Sequence, residues 1–373
     1  MYRIIKIGMD VHTTSFTLCA IEPVIGSDDR ILATVKTSPD YKNILMLIFD
    51  LKQKLGKDDE YDIECGYEAG CLGYSIYNQL TAAGVKCTII APSTMMTPKG
   101  KRIKTDARDA LTIAQCLAYG CYSAVYIPTE NDDSIKEYMR MRNDHKITLK
   151  RIKQQIIAFC MRHGHHYPGN YWTQKHVVWL RLLELQDLYR ETLDEYLASY
   201  DEHVAKIERY DQRIEEIANQ IEYQEKVSRL TCFLGIKTQT ALSLIVETGD
   251  FNRFPKGNVY AAYLGLAPGE RSSGEEINRT RISKAGNAHL RTMLVEASQG
   301  ICKGSVGQKS KALKARQAGN TADVIAYADK ANIRMRRKYY RMLRHGKKHN
   351  VATTAIAREL ACFVWGMMTD NIA

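Results

Sequence analysis

The first third of the chain alternates between short apolar runs and apolar residues at helical spacing. The apolar, β-rich runs at residues 4–11, 15–22 and 31–37 are typical of three successive strands. Beyond them, the pattern predicts helices over residues 43–55, 72–84 and 106–120 and strands over residues 63–68 and 86–92. We therefore expect an α/β domain over residues 1–128.

The middle of the chain carries a longer helical pattern. From Leu193 to Ile221, apolar residues recur at threes and fours with acids and bases between them. This is the pattern of a long helix with a coiled-coil seam. A basic helix over about residues 133–162 precedes it, and the simplest arrangement is two antiparallel helices. The seam either packs within one chain or forms a dimer interface, and we expect a helical linker over residues 129–225.

From residue 226 to residue 373 the sequence predicts a mainly α-helical domain punctuated by glycine. Residues 233–254 predict two helices around a tight GIK turn, similar to a helix-hairpin-helix, whose backbone N–H groups contact phosphate. The stretch 333–349 is strongly basic and includes Tyr339 and Tyr340. A run of charges of one sign with aromatic residues among them favours a nucleic-acid-binding surface over a helix face that is merely solvated. The contacts predicted there are Arg336, Arg337, Lys338 and Arg341.

The charge of the chain agrees with a polyanionic partner. The formal net charge is +11 and the isoelectric point is near 9.0, which favours nucleic acid first and an anionic membrane surface second. No apolar run approaches the ~20 residues of a transmembrane helix, and the N-terminus lacks a signal-peptide pattern. The ten cysteines are scattered singly, without a CxxC pair. We therefore expect a cytoplasmic protein with no membrane partner.

Four carboxylates stand where one fold would bring them together. Three strands followed by alternating helices and strands is the order of an RNase H-like fold. In such a sheet the first strand, the end of the fourth strand and the last helix converge on one edge. Asp10 lies in the first strand, Glu68 follows the fourth, and Asp106 and Asp109 open the last helix on one face. The alternative is structural, with Asp106 as a helix cap and Glu68 simply exposed.

Binding of divalent metal would explain why four acids lie close together. Like charges raise one another's pKa, and two Mg²⁺ ions about 4 Å apart would remove that repulsion and orient a phosphodiester. Oxygen ligands suit Mg²⁺, and we expect Mn²⁺ to be able to substitute. The cations just upstream of the acids are then expected to grip the same phosphate backbone. They are Lys99, Lys101, Arg102 and Lys104.

A serine pair lies in a cationic segment of the last third. Ser272 and Ser273 precede Gly274. A serine in such a loop is most simply a polar loop residue or a phosphate donor. A nucleophilic serine needs a base or a metal to activate it, and no histidine stands beside this one in the sequence. The expected nucleic-acid contacts around it are Arg271, Arg279, Arg281 and Lys284.

Six segments together resemble the DEDD-type insertion-sequence transposases, the family associated with bridge-RNA-guided recombination. They span nearly the whole chain, in family order: GMDVH (8–12), YEAGCLGY (67–74), IIAP (89–92), KTDARDA (104–110), GLAPGERSSG (265–274) and RISKAGNAHLR (281–291). The resemblance implies a RuvC-like N-terminal domain, a helical linker and a C-terminal domain whose serine attacks DNA. It places the acidic tetrad at Asp10, Glu68, Asp106 and Asp109. One departure is Thr13, where many relatives carry lysine.

The resemblance also implies a mechanism and partners. By motif the serine is Ser273, with Ser272 as the alternative, and it would form a transient phosphoserine bond with DNA. The implied partners are double-stranded donor and target DNA, a structured guide RNA and further copies of the chain in a dimer or tetramer. The implied location is the bacterial cytoplasm, in association with the nucleoid. Two other functions stay open: a RuvC-like junction resolvase or nuclease that hydrolyses DNA with the tetrad alone, and a non-catalytic nucleic-acid-binding scaffold.

Overall fold

The computed structural model describes residues 2–56, 59–95, 105–270 and 279–372. They form two compact units, an N-terminal unit, Met1–Ile127, and a C-terminal unit, Pro128–Ala373. Each unit has hydrophobic cores of its own. The further division of the chain at residue 225 stays a prediction.

The N-terminal unit is built on a five-stranded mixed sheet. Its strands are β1 (Tyr2–Val11), β2 (Phe16–Glu22), β3 (Arg30–Thr37), β4 (Glu60–Glu68) and β5 (Lys86–Ile90), and its helices are α1 (Tyr41–Leu55), α2 (Ser75–Ala82) and α3 (Asp106–Tyr119). The strand order is β3-β2-β1-β4-β5. The first three strands are antiparallel, whereas β1, β4 and β5 are parallel. This arrangement is consistent with an RNase H-like domain, and all eight predicted elements are present.

The two faces of this sheet are covered by different helices. Ile5, Ile7 and Met9 of β1 are fully buried in one core with α1 and α2. Because side chains alternate along a strand, Gly8 points to the opposite face, where α3 packs. A Cβ atom at Gly8 would lie only 2.0 Å from the Ala110 carbonyl oxygen. Glycine at this position therefore lets the backbone of α3 approach the centre of the sheet.

The C-terminal unit is mainly helical. Its helices are α4 (Glu130–Arg162), α5 (Gln174–Arg181), α6 (Asp187–Ala218), α7 (Gln224–Thr231), α8 (Thr238–Thr248), α9 (Gly257–Tyr263), α10 (Ala288–Ile301), α11 (Lys311–Gln317), α12 (Ala322–Arg344) and α13 (His349–Met368). A small antiparallel hairpin joins β6 (Pro268–Glu270) to β7 (Arg279–Ile282). Helix α13 is long and apolar enough to cross a membrane. Its stripe of Ile356, Leu360, Val364 and Met367 is fully buried in the core of this unit.

Helices α4 and α6 pack against each other in antiparallel directions. Near the start of α4, the ring of Tyr138 lies 5.8 Å from the ring of Tyr210. Near its end, Phe159 contacts Tyr196, with 6.2 Å between ring centroids. The predicted seam thus packs at least partly within one chain. Its last predicted member, Ile221, lies beyond the end of α6 and is 93% exposed, because the helix stops at Ala218. A regular coiled coil and a dimer interface stay predictions.

Candidate active site

Strands β1 and β4 bring Asp10 and Glu68 to the same face of the sheet. The two strands are paired in parallel, with Gly8 opposite Gly66 and the next residues in step. Side chains alternate, so Asp10 and Glu68 share the face of these glycines, which is the face covered by α3. Neighbouring strands lie about 4.8 Å apart. The two carboxylates therefore extend from adjacent strands at the same end of the sheet.

Helix α3 supplies the other two acids from its first turn. Thr105 is its N-cap, and the side-chain oxygen of Thr105 accepts a hydrogen bond from the backbone N–H of Arg108. The alternative in which Asp106 serves as the cap is therefore wrong, because Thr105 has that role. Asp106 instead accepts a hydrogen bond from the Lys36 ammonium, with 3.0 Å between Nζ and Oδ2. Its carboxylate thus interacts with a residue of the sheet as well as with its own backbone N–H.

The acids and one histidine converge at the end of β1. Asp10, Asp106 and His12 each place a ligand atom within 4.8 Å of the other two. His12 Nε2 lies 3.3 Å from Asp10 Oδ2. Within the described ranges, this group includes neither Glu68 nor Asp109. The structure therefore brings together two of the four predicted acids, adds a histidine, and leaves Glu68 on the neighbouring strand and Asp109 one helical turn away.

The two central carboxylates have opposite pKa shifts. Burial raises the pKa of Asp10, and the negative charges of Asp109 and Asp106 raise it further, against the opposing effect of His12. The pKa of Asp106 is lowered, chiefly by its hydrogen bond and ion pair with Lys36. Among the described residues, Asp10 is thus paired with His12, whereas Asp106 is paired with Lys36.

The residues at this point fit a divalent metal ion. Thr17 is paired with Asp10 on one side and with Lys36 on the other. It is only 4% exposed, and its hydroxyl oxygen has no hydrogen-bond partner in the described part of the chain. Converging carboxylates and an unsatisfied hydroxyl form an oxygen-rich set of the kind that hard divalent cations prefer. A bound cation would also offset the repulsion that raises the pKa of Asp10.

Sequence reasoning missed two residues of this site. His12 belongs to the GMDVH segment, and its position two residues after Asp10 was a signal for a shared face at the strand end. Lys36 had no such signal, because only the pairing of β3 with β2 places it in the row of Asp10. The upstream cations Lys99, Lys101, Arg102 and Lys104 lie outside the described residues.

The serine pair also lies outside the described residues, together with Arg271. The strands on either side of that segment, β6 and β7, are paired. Arg291 donates to the carbonyl oxygens of Leu264, at 3.0 Å, and Ala285, at 3.4 Å. Arg291 therefore helps to hold the chain next to the hairpin, whereas Arg281 and Lys284 are exposed.

A buried polar cluster lies where β7 leads into α10. The Glu247 side chain is 3% exposed and accepts hydrogen bonds from Arg140 and from Asn287 Nδ2. His289 lies in the first turn of α10, and burial lowers its pKa while Glu247 acts in the opposite sense. Its Nε2 atom is buried without a hydrogen-bond partner in the described ranges. His289 is thus a buried histidine at the start of α10 that the sequence reasoning did not single out.

The basic stretch of α12 divides into buried and exposed residues. Arg336 is 7% exposed and donates to the carbonyl oxygens of Ile301, Ser305 and Gln308. We therefore remove Arg336 from the predicted nucleic-acid surface, because its guanidinium is used to hold the segment after α10. Lys338 pairs with Glu359.

Of the four nucleic-acid contacts predicted on α12, two are exposed. Arg337 and Arg341 are exposed. Tyr339, by contrast, is 6% exposed and therefore packs rather than stacks on a base. In the predicted helix-hairpin-helix, the Leu234 N–H donates to Asn332 Oδ1, so that amide is not free for phosphate.

These features are consistent with one class of protein: a DEDD-type, RNase H-like domain followed by a mainly helical unit. A DEDD transposase family model, described as "Transposase", matches residues 7–163, and a model described as "Transposase IS116/IS110/IS902 family" matches residues 227–313. The chain therefore belongs to the IS110 family of DEDD transposases. It is a DNA-processing insertion-sequence transposase of a family that uses divalent metal.

Individual relatives agree with this assignment. The chain is 33% identical over 305 residues to "Putative transposase y4qE" of Sinorhizobium fredii, covering 82% of this chain and 75% of the relative. It is 29% identical over 356 residues to "Transposase for insertion sequence element IS1533" of Leptospira borgpetersenii, covering 93% of this chain and 99% of the relative. The similarity to both relatives therefore extends over most of each chain.

Proposed function

We propose that this transposase cuts and rejoins DNA with a metal-dependent acidic site in the N-terminal unit and a serine nucleophile in the C-terminal unit. The observation that carries the proposal is the convergence of Asp10, Asp106 and His12 within 4.8 Å. Two parts of the chain that are distant in sequence meet there: the end of β1 with the residue directly after it, and the start of α3.

The metal we propose is Mg²⁺, with Mn²⁺ able to replace it. Asp10, Asp106 and His12 would hold the ion, and Glu68 and Asp109 would complete the acidic set. A divalent ion bound there supplies a Lewis acid that favours deprotonation of a hydroxyl and stabilises charge on a phosphate. His12 adds a nitrogen donor, which makes the site more favourable to Mn²⁺ than a purely carboxylate site would be.

The proposed nucleophile is Ser273, with Ser272 as the alternative, on the strength of the resemblance to the family. Its Oγ would form a bond to phosphorus while the bond from phosphorus to the leaving deoxyribose oxygen breaks. The serine proton would pass to a base, and the leaving oxygen would take up a proton. The reverse attack by a new DNA end would release the serine and complete strand exchange.

The proposed partners are double-stranded donor and target DNA and a structured guide RNA. The net charge of +11 and the exposed cations Arg281, Lys284, Arg337 and Arg341 support contact with phosphate backbones. The proposed state is a dimer or tetramer in which acids and serine act together, in the bacterial cytoplasm and in association with the nucleoid. No membrane partner is proposed.

Strand exchange by single-residue variants tests the proposal. Donor DNA, target DNA and the RNA from the element would be supplied to the full chain with Mg²⁺. Asp10→Asn, Asp106→Asn and Ser273→Ala are expected to lose at least a thousandfold of the exchange rate, as is typical when an essential group is removed. Asp50→Asn, at an exposed position in α1, and Ser272→Ala are the matched controls.

Three outcomes would contradict parts of the proposal. Normal exchange by Ser273→Ala with a defective Ser272→Ala would move the nucleophile to Ser272. Normal exchange by both serine variants, with inactive aspartate variants, would favour a site that hydrolyses DNA with acids alone. Unchanged DNA cleavage in both aspartate variants would favour a non-catalytic scaffold.

A further inference from the structure

Lys36 introduces a positive charge into the acidic site from the outer strand of the sheet. It lies in β3, and pairing places it next to Thr17, which in turn lies next to Asp10. Paired residues of neighbouring strands share a face. Lys36, Thr17 and Asp10 therefore form one row across the sheet beneath the start of α3, and the backbone itself brings the lysine to the site.

The ammonium of Lys36 holds the same carboxylate that we assign to the metal. Lys36 Nζ lies 3.0 Å from Asp106 Oδ2, and the side chains of Lys36 and Asp106 are 63% and 43% exposed. Asp106 also has a ligand atom within 4.8 Å of those of Asp10 and His12. A divalent ion held by Asp106 and an ammonium on the same carboxylate repel each other, because both are cations at close range.

We propose that Lys36 is an internal counter-ion of the site, which holds Asp106 when metal is absent and competes with the divalent ion for it. This inference rests on the metal site of the proposed function. The competition reduces the affinity of the site for metal. It also keeps Asp106 oriented toward the sheet in the metal-free protein, where Asp10, Asp106 and Asp109 would otherwise repel one another.

The chain offers a matched control for Lys36. Lys86 is likewise exposed, at 71%, and its Nζ lies 2.5 Å from Asp62 Oδ1. Asp62 precedes Glu68 by six residues on the same strand, which corresponds to about 20 Å along β4. The Lys86 pair thus has the same chemistry and a similarly exposed lysine in the same unit, but it lies away from the acidic site. Its carboxylate is less exposed than that of Asp106, at 22%, and also lies 3.7 Å from Lys6 Nζ.

Binding of Mn²⁺ to the full chain, without nucleic acid, tests the inference. The free ion is measured by electron paramagnetic resonance during titration, and the part of the binding that is lost in Asp10→Asn defines the site. Lys36→Met is expected to bind Mn²⁺ about two- to fivefold more tightly at that site, the range that an exposed ion pair supports. Lys36→Arg keeps the charge and is expected to bind as the wild type does. Lys86→Met is expected to leave the affinity unchanged.

The same titration separates failure of the inference from failure of the proposed function. If Asp10→Asn removes binding but Lys36→Met binds with unchanged or lower affinity, Lys36 does not compete and the inference is overturned. A two- to fivefold gain that also appears in Lys86→Met would overturn it too, because the effect would then be one of net charge. If Asp10→Asn binds Mn²⁺ as well as the wild type does, the metal site itself is wrong.

Discussion

Replacement of Gly8 by alanine would act on the distance between α3 and the sheet. The added Cβ would lie 2.0 Å from the Ala110 carbonyl oxygen and 2.3 Å from the Ala114 nitrogen. Both are backbone atoms of α3, so no side-chain rotation can relieve the contact. Ordinary contact begins at 3.4 Å, so α3 or β1 would have to move by about 1.4 Å. Asp106 and Asp109 would move with the helix.

The loss of folding stability expected for Gly8→Ala follows from this displacement. Overpacking of a core typically costs about 1–3 kcal/mol, and a backbone clash belongs at the upper end. A loss of about 3 kcal/mol would lower the unfolding midpoint by roughly 10 °C for a unit of this size. A misplacement of about 1 Å at a catalytic site is worth roughly a hundredfold in rate. We therefore expect weaker Mn²⁺ binding and slower strand exchange as well as lower stability.

The assay compares Gly8→Ala with two other glycines of the N-terminal unit. In Gly66→Ala the new Cβ would meet side-chain carbons of Leu117 at 2.8 Å and 2.9 Å, which can move, and the Thr88 carbonyl oxygen at 3.1 Å. A smaller effect than in Gly8→Ala is therefore expected. In Gly70→Ala the nearest atom would be 3.8 Å away, so no effect is expected. Thermal unfolding and Mn²⁺ titration are measured for all three variants. Wild-type stability and affinity in Gly8→Ala would refute the idea that this glycine sets the position of α3.

Two further predictions concern the C-terminal unit. Arg336→Met should lose about 3 kcal/mol of stability, because three carbonyls lose a buried charged donor. Arg337→Met should keep its stability but reduce the salt dependence of DNA binding by about one counterion. The same stability loss in both variants would contradict the assignment of Arg336 to the fold and Arg337 to the DNA-binding surface. The lowered pKa of His289 means that the unfolded chain binds a proton more readily, so stability should fall as pH drops below about 6.5. Unfolding midpoints from pH 7.5 to 5 should therefore fall less in His289→Gln than in the wild type, and equal falls would show that His289 is not responsible.

The asymmetry of the acidic site has a consequence for how the protein is used. Asp106 is held in its charged form by Lys36, whereas Asp10 is disfavoured in its charged form by burial and by its acidic neighbours. A bound cation therefore stabilises the charged form of Asp10 more than that of Asp106, because Lys36 already provides a positive charge beside Asp106. Asp10 and Asp106 therefore differ in their electrostatic surroundings, although the predicted acidic tetrad includes both as metal ligands.

Local pattern was sufficient for the elements of the N-terminal unit. Alternation of apolar residues identifies the strands, and helical spacing identifies α1 and α3, because both periodicities follow from backbone geometry within a few residues. Helix α2 begins at Ser75 rather than at residue 72, since residues 71–74 form a turn. The motif segments also sufficed to identify the family, since they occur in order along nearly the whole chain.

Only tertiary structure decided which charged residues serve the site and which serve the fold. Lys36 contacts Asp106 because β3 pairs with β2. The register of that pairing shifts between Ala20 and Ile21 of β2. No local pattern within β3 reveals this register. Arg336 and Arg337 are neighbours of the same residue type, yet one is buried on three carbonyls and the other is exposed. Residue type and spacing determine what a side chain can do. Its partners depend on residues far away in the chain, because burial and pairing arise only when distant segments pack together.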